Sequence, residues 1–367
     1  MKRVFFFRPT LDEGGADRVT LTLLQHLDRR LFQPTLVLMR ATGASQRELP
    51  ANVPVIDLGS ARLATSGAAL GRVLRREKPD VLFSTASSAN IPAALAHRAT
   101  RSRARLVLSE RSTLFRGRSR TDLKQRAVVA LKRLTYRFAD VVTAVSQGVA
   151  DELADVVGLG RERIAVVYNP MVDEHLGELA AEPVDHPWLD GADPVVIAVG
   201  RLVVYKDYPT LIEAFARVRQ SVPARLIILG TGPLKDELVQ RVRALGLDGQ
   251  VDFAGFHANP FKYMARARLL MQSSRVEGLP GSLIQAMACG TPVVATDCDH
   301  GPREVIRAPG TDGFLVPVGD AAALADRAVA LLRSPGLRDQ VGQAARASAG
   351  RFSLAASMTR YQQAIGG

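Results

Sequence analysis

Two segments of the sequence combine charged side chains with glycine-containing turns directly after short apolar runs. The first, GRLVVYKD, places Arg201 and Lys206 just beyond the run Val195–Val199, which ends at Gly200. A diphosphate leaving group needs its developing negative charge neutralised, and fixed Arg and Lys side chains do this without a metal ion. Taken alone, the pair is equally well explained as two solvated cations in a surface loop.

The second segment, EGLPGSLIQ, begins at Glu277 and enters a helical pattern at about Ser282. The first amides of a helix point outward at the positive end of the helix dipole and bind anions. Gln285 lies one helical turn further on, where it faces back towards a bound ligand. Glu277, in the preceding loop, is placed to accept hydrogen bonds from sugar hydroxyls, whereas the alternative is an ordinary strand–helix connection with a solvated carboxylate.

These segments lie in a chain of 367 residues whose β-rich apolar runs alternate with helical periodicity, the pattern of parallel α/β sheets. The predicted strands are Val4–Phe7, Thr35–Met39, Val81–Ser84, Arg105–Ser109, Val141–Val145, Ile164–Tyr168, Val195–Val199, Arg225–Leu229, Gln250–Phe253, Leu269–Ser273, Pro292–Ala295 and Phe314–Val316. A chain of 367 residues exceeds the usual limit of about 250–300 residues for one hydrophobic core. We therefore expect an N-terminal domain over 1–175, a proline- and acid-rich linker over 176–193 and a C-terminal domain over 194–352. The final helix, within 353–367, packs back either onto the first domain or onto the second.

The basic charge of the chain is concentrated in its first half. Residues 1–175 carry a net charge of +11, and residues 176–367 carry +1. Within 111–137, nine Lys and Arg residues face one acid, and leucines, valine and alanines supply an apolar side. Such a helix is typical of docking on anionic lipid, although a core helix with a solvated charged face has the same pattern. The predicted membrane contacts are Arg116, Arg118, Arg120, Lys124, Lys132 and Arg133.

Composition argues against several other classes of protein. No window holds the roughly 18 apolar residues of a membrane-spanning helix, and the first apolar run is too short for a signal peptide. Two cysteines and six scattered histidines give no disulfide framework and no metal-ligand spacing. Aromatic residues make up only 5% of the chain, and no nucleic-acid-binding motif is present. We expect a cytoplasmic protein that binds neither a metal nor nucleic acid.

Three segments together resemble a known family. GRLVVYKD, LGTGPLKDEL and EGLPGSLIQAMACGTPVVATDCDHGPREVI are similar to the retaining glycosyltransferases of family four, over essentially all of residues 195–351. That resemblance implies the GT-B fold, in which two Rossmann-like parallel-sheet domains face a central cleft. It implies that the first domain binds the acceptor and the second binds the nucleotide sugar. The catalytic residues that it implies are Arg201, Lys206 and Glu277, and the donor-binding residues are Gly200, Gly232, Gly281, Leu283, Ile284 and Gln285.

Within that assignment, Arg201 and Lys206 match the basic pair that clamps the donor diphosphate, and the amides of Leu283 and Ile284 match its phosphate contacts. Glu277 matches the first acid of an E-x7-E motif. The second acid of the motif, which usually accepts hydrogen bonds from the nucleotide ribose, is Gln285 here. A glutamine amide both accepts and donates hydrogen bonds, so this departure bears on donor affinity or nucleotide choice more than on activity.

In the first half, Gly14, Gly15 and Asp17 match a GGAE-like loop on the acceptor side, with Asp17 in place of the commoner glutamate. A simple strand-to-helix turn is the alternative. Many relatives place a histidine in the region that holds Glu110 and Arg111 here, and these two either contact the acceptor or form a structural ion pair.

The resemblance implies transfer of a sugar, with retention, from a nucleotide diphosphate-sugar to a hydroxyl acceptor, and no cofactor. We favour UDP over GDP, a lipid-linked or glycan acceptor, and cell-envelope glycan assembly on the inner face of the membrane. A catalytically inactive nucleotide-sugar-binding relative and a GT-B-fold sugar-nucleotide epimerase are the alternatives.

Overall fold

The computed structural model describes residues 1–12, 15–43, 48–114 and 122–366. The chain divides into two compact units. Unit 1 comprises Met1–Pro170 and Ala355–Gly367, and unit 2 comprises Met171–Leu354. Each unit contains one parallel β-sheet with helices in the connections between its strands.

The sheet of unit 1 has seven strands in the order β3-β2-β1-β4-β5-β6-β7. The strands are β1 Lys2–Arg8, β2 Phe32–Leu38, β3 Val55–Asp57, β4 Val81–Ser84, β5 Arg105–Glu110, β6 Val141–Ala144 and β7 Ile164–Val166. The connecting helices are α1 Gly15–His26, α2 Leu63–Glu77, α3 Asn90–Ala99, α4 Leu123–Thr135 and α5 Gln147–Glu152. Phe5, Phe6 and Phe7 on the central strand β1 are all buried, which is why this strand is a continuous apolar run in the sequence.

Strand β3 is the one strand that the sequence pattern did not predict among the described residues. It has three residues at the edge of the sheet, and its Val55 and Asp57 are exposed. A strand this short and this exposed has no apolar run that would separate it from a loop.

The sheet of unit 2 has six strands in the order β10-β9-β8-β11-β12-β13. The strands are β8 Val195–Val199, β9 Arg225–Leu229, β10 Val251–Gly255, β11 Leu269–Gln272, β12 Val293–Thr296 and β13 Phe314–Val316. The helices are α6 Leu176–Ala181, α7 Tyr208–Arg219, α8 Lys235–Ala244, α9 Phe261–Met264, α10 Gly281–Ala288, α11 Pro302–Val305, α12 Ala321–Arg333 and α13 Pro335–Ala349. Aliphatic side chains of β8, β9 and β11 pack with those of α7 and α12 in one core.

The segment 176–193, expected to be a linker, is part of unit 2. Helix α6 lies in it, and Asn259 donates a hydrogen bond of 2.8 Å to the carbonyl of Leu179. Further along, the imidazole of His186 lies 3.2 Å from the carboxylate of Asp252. These contacts fix a stretch whose prolines and acids alone favour a loop.

The last helix, α14 Leu354–Gly366, returns the chain to unit 1. Its Tyr361 is buried and packs near Phe83, with 6.1 Å between ring centroids. Arg105 donates a hydrogen bond of 3.2 Å to the carbonyl of Ala364. Among the described residues, no helix has both the length and the apolar character needed to cross a membrane.

Both sheets reverse their winding direction once, between β1 and β4 in unit 1 and between β8 and β11 in unit 2. Open α/β sheets bind ligands outside the carboxyl ends of the strands at such a reversal. The carboxyl edges at these two reversals are therefore the expected ligand-binding positions.

Candidate active site

In unit 2, two glycines bring the loops after β8 and β9 into close contact. A Cβ atom on Gly230 would lie 2.0 Å from the carbonyl oxygen of Gly200, and one on Gly232 would lie 2.3 Å from that of Leu202. Leu202 also donates a backbone hydrogen bond of 2.9 Å to Thr231. The structure thus gives Gly232, predicted as a donor contact, a packing role: it supports the loop that carries Arg201.

The central ion pair of this site joins Lys206 to Glu277. The ammonium of Lys206 donates to Oε1 of Glu277, and the same oxygen accepts from Ser274 at 2.7 Å and from Gln272 at 3.4 Å. Both side chains of the pair are largely buried, with 16% and 8% exposure. Oε2 of Glu277 has no hydrogen-bond partner among the described residues. One carboxylate oxygen is therefore fixed by the protein, and the other is open to a ligand.

Arg201, the other predicted cation, is exposed. In the part of the chain that the structure describes, its guanidinium has no hydrogen-bond or ion-pair partner. In the predicted diphosphate clamp, Lys206 is therefore already paired with Glu277, whereas Arg201 is not paired with any described residue.

Helix α10 supplies the anion-binding amides. The amide of Ile284 donates to the carbonyl of Pro280 at 3.2 Å, so it belongs to the first intrahelical hydrogen bond rather than to a free phosphate contact. The amides with no acceptor among the described residues are those of Gly281, Ser282 and Leu283. The half-buried side chain of Gln285, one turn in, likewise has no partner within the described part of the chain.

Two buried ionisable groups next to this site remain protonated at neutral pH. Tyr208 donates a hydrogen bond of 2.9 Å to the carbonyl of Gly200, and burial, with the charge of Glu277, raises its pKa. Burial, with the charge of Glu277 as the second cause, raises the pKa of Cys298 to about 12. Neither group is an ionised nucleophile under physiological conditions.

Sequence reasoning missed Gln272, Ser274, Tyr208 and Cys298. A signal for the first two was present, because LLMQSS ends an apolar strand with three polar residues at the edge where ligands bind. Tyr208 lies in the segment that holds Arg201 and Lys206 but carries no charge that would single it out, and Cys298 is far in sequence from its neighbour Glu277.

In unit 1, Asp17 is paired with Arg8 at the carboxyl end of β1. Arg8 is buried and also donates to the Thr20 hydroxyl and to the carbonyl of Thr10. The carboxylate of Asp17 is thus engaged by its own unit. Gly15 begins α1 and is exposed, and Gly14 lies outside the described residues.

The surroundings of Glu110 correct two predictions, that Glu110 contacts the acceptor and that Lys132 contacts the membrane. The side chain of Glu110 is fully buried, lies 2.5 Å from the ammonium of Lys132 and accepts a hydrogen bond of 2.7 Å from Tyr136. Burial, together with the charge of Glu110, raises the pKa of Tyr136. Glu110 is therefore not open to an acceptor, and Lys132 is not on the surface: both belong to a buried polar network beneath α4.

The outer face of α4 is apolar and flanked by cations. Leu123 is 77% exposed and Leu134 is 46% exposed, and Leu131 lies on the same face by helical spacing. Lys124 and Arg133 are also exposed. The remaining predicted membrane contacts, Arg116, Arg118 and Arg120, lie outside the described residues.

The fold and the site define a class of protein, and the comparisons with known sequences agree. The family described as "Glycosyl transferases group 1" matches residues 193–334, and that described as "Glycosyltransferase Family 4" matches residues 13–175. The chain is a glycosyltransferase with the GT-B fold. This confirms the predicted fold class and the prediction of a glycosyltransferase enzyme.

Several relatives match along nearly the whole chain. A Campylobacter jejuni N-acetylgalactosamine-N,N'-diacetylbacillosaminyl-diphospho-undecaprenol 4-alpha-N-acetylgalactosaminyltransferase is 28% identical over 96% of both chains. The lipopolysaccharide core biosynthesis glycosyltransferase LpsE of Rhizobium meliloti is 29% identical, also over 96% of both. Among solved structures, Anabaena HepE in complex with UDP and glucose has a TM-score of 0.82 at 22% identity over 100% of both chains, a similarity of fold.

Proposed function

We propose that the protein is a retaining glycosyltransferase of family four that transfers a sugar from a UDP-sugar to a hydroxyl of a lipid-linked glycan in cell-envelope assembly. The observation that carries the proposal is the arrangement after β8 and β11. Arg201, which has no partner among the described residues, shares the loop after β8 with Lys206, and Lys206 pairs with Glu277 after β11. Two comparisons support the substrates. A relative that matches along nearly the whole chain is named for a diphospho-undecaprenol acceptor. HepE, which has a similar fold, was solved in complex with UDP.

The cations and amides have complementary tasks in this proposal. Arg201 and Lys206 neutralise the charge that develops on the leaving UDP, and the free amides of α10 bind its phosphate oxygens. Oε2 of Glu277 accepts a hydrogen bond from a hydroxyl of the transferred sugar. Because fixed cations supply the neutralising charge, we expect activity to persist in the presence of EDTA.

Retention is assigned to a front-face displacement. The acceptor oxygen forms its bond to the anomeric carbon on the side from which the C–O bond to the diphosphate breaks, and the acceptor proton passes to the departing phosphate oxygen. The electron pair of the broken bond leaves with UDP. In this mechanism Glu277 orients the sugar through Oε2 and forms no covalent bond to it, while Lys206 and Ser274 hold Oε1.

The test begins with the donor. UDP-, GDP- and ADP-sugars are screened for an increase in melting temperature, because a ligand that binds only the folded state raises its stability. The best donor is then supplied with a polyprenyl-diphosphate glycan, and the anomeric configuration of the product is read by NMR. Transfer with retention, unaffected by EDTA, is the expected result. Donor consumption without any product on an acceptor, or inversion, would refute the proposal.

The same proposal places the enzyme on the cytoplasmic face of the membrane through α4. A helix with an outward apolar ridge between basic residues fits an anionic lipid surface, where the leucines enter the headgroup boundary and the cations meet lipid phosphates. The wild-type protein should co-sediment with vesicles that contain anionic phosphatidylglycerol. A Leu131→Gln/Leu134→Gln double variant should not co-sediment with them. A variant with Arg268→Glu, at the amino end of β11 in unit 2, serves as the matched control. Failure of wild type to sediment would refute membrane docking but not the transferase reaction.

A further inference from the structure

Arg111 is a half-buried cation without an acid partner. It follows β5 directly, and its guanidinium donates to the Asn169 side-chain oxygen at 2.7 Å and lies 3.5 Å from the Tyr361 hydroxyl. Its Nε is buried and has no hydrogen-bond partner in the described part of the chain. No carboxylate among the described residues lies within ion-pair distance of it. A buried N–H usually has an acceptor, so the Nε of Arg111 lacks the partner that its burial requires.

A second guanidinium lies near the first. Arg8 ends β1 and is 4% exposed. Its pKa falls to about 9, first because of burial and then because the positive charge of Arg111 is close, against the opposing effect of Asp12. Arg8 has Asp17 as its acid partner, whereas Arg111 has no acid partner among the residues that the structure describes. The protein thus holds two like charges together and leaves one of them without a neutralising carboxylate.

The position of this cluster is the ligand-binding edge of unit 1. The strand order reverses between β1 and β4, where Arg8 ends β1, Ser87 follows β4 and Arg111 follows β5. The backbone amide of Arg111 donates to the Ser87 hydroxyl at 3.0 Å, which ties the loops after β4 and β5 together. An open α/β sheet binds its ligand at this edge.

Two buried residues hold the Arg111 side chain in place. Asn169 lies at the end of the first segment of unit 1, and Tyr361 lies on α14, which returns to this unit. The Tyr361 hydroxyl is also 3.5 Å from the Asn169 side-chain oxygen. Both partners of Arg111 are neutral, so they orient its guanidinium without neutralising it.

We propose that Arg111 binds a phosphate group of the acceptor, with Asn169 and Tyr361 as positioning residues. This rests on the proposed function and on the family resemblance, which puts the acceptor side in the first half of the chain. A guanidinium recognises phosphate and carboxylate alike through paired hydrogen bonds, so the anion belongs either to a lipid diphosphate or to an acidic sugar. We assign it to the lipid diphosphate, because Glu110, the neighbour of Arg111 in sequence, is paired with Lys132 on the docking helix α4.

The experiment compares three acceptors that carry the same terminal sugar: a polyprenyl-diphosphate glycan, a neutral alkyl glycoside and a glycoside bearing a uronate. Replacing Arg111 by Gln should raise KM for the diphosphate acceptor by about 10- to 100-fold, the cost of a lost charge-assisted hydrogen bond. KM for the neutral acceptor and for the donor should stay unchanged. Arg111→Lys should recover part of the loss, and Tyr361→Phe should raise the same KM a few-fold at unchanged kcat.

Arg103→Gln, at an exposed arginine just before β5, is the control and should affect no acceptor selectively. Equal losses on all three acceptors, or none, would overturn the assignment of Arg111. A selective loss on the uronate acceptor would overturn the phosphate assignment.

A second measurement separates this inference from the proposed function. Geranyl diphosphate, added with UDP at saturation so that the donor site is filled, should raise the melting temperature of wild type and not that of Arg111→Gln. If the shift appears while no acceptor is glycosylated, the anion site stands and the proposed function fails. Transfer without such a shift would overturn the anion site alone.

Discussion

Lys206 and Glu277 form a nearly buried ion pair at the carboxyl edge of the unit 2 sheet. Sequence spacing suggested that Lys206 and Arg201 act as an equivalent pair of cations. The structure separates them: Lys206 also fixes a buried carboxylate, whereas the guanidinium of Arg201 is exposed and unengaged among the described residues.

This difference predicts distinct effects of two alanine substitutions. Arg201→Ala should lose about 2–4 kcal/mol of transition-state stabilisation, measured as kcat/KM, with no change in melting temperature. Lys206→Ala should lose a similar amount and also lower the free energy of unfolding by about 3 kcal/mol, because it leaves Glu277 buried without its counter-ion. Arg268→Ala provides the control for a removed charge. Full activity in Arg201→Ala would eliminate it from the diphosphate clamp, and unchanged stability in Lys206→Ala would show that Glu277 does not need the pair.

Gln285 predicts an effect on nucleotide binding. Its side chain has no partner among the described residues, so Gln285→Glu should change the Kd for UDP or GDP without abolishing transfer. Calorimetric titration with both nucleotides measures the change, and Gln285→Ala distinguishes a lost hydrogen bond from an added charge. Identical Kd values in all three proteins would place Gln285 away from the nucleotide.

Two lysines of α4 should behave in opposite ways. Lys132→Met removes the partner of buried Glu110 and should lower the free energy of unfolding by about 3 kcal/mol in urea titration. Exposed Lys124→Met should leave stability within about 0.5 kcal/mol of wild type and weaken sedimentation with anionic vesicles. The reverse pattern would mean that Lys132, not Lys124, faces the lipid.

Gly230 should tolerate no side chain. Its φ of +146° and the approach of the Gly200 carbonyl mean that Gly230→Ala should cost at least about 2 kcal/mol of stability. The change should also reduce kcat/KM, because it displaces the loop that carries Arg201. Gly336→Ala, where nothing lies within 4 Å of the added atom, should be neutral in both measurements. A stable and fully active Gly230→Ala would show that the two loops can separate without consequence.

Because both cysteines are buried, we expect the stability of the folded protein to depend on pH. Burial raises the pKa of both Cys289 and Cys298 from 9 to about 12. The folded state therefore keeps its thiol protons while the unfolded state loses them, so stability should fall as pH rises from about 9 towards 12. At pH 8 the folded protein should resist iodoacetamide, and urea should expose two reactive thiols per chain. Rapid modification of the native protein would contradict their burial.

The sequence by itself determined the alternation of strands and helices, because buried parallel strands are continuous apolar runs that end in glycine-rich turns. It also located the donor segments: the loop after β8 and the turn before α10 are short stretches whose residues act together, and their types and spacing are visible in the chain. The short exposed strand β3 was not predicted, since residues at the edge of a sheet bury too little apolar surface to give a recognisable sequence pattern.

Tertiary structure alone decided which charges are engaged. Helical periodicity places Lys132 and Leu131 on different faces of α4 but does not say which face the sheet covers. The buried carboxylate of Glu110, 22 residues away in sequence, draws Lys132 inward and leaves the leucines outside. In the same way Arg8 is paired with Asp17, Lys206 with Glu277, and Arg111 with no acid among the described residues. An ion pair depends on distances between residues far apart in the chain, and only the folded arrangement of the strands sets those distances.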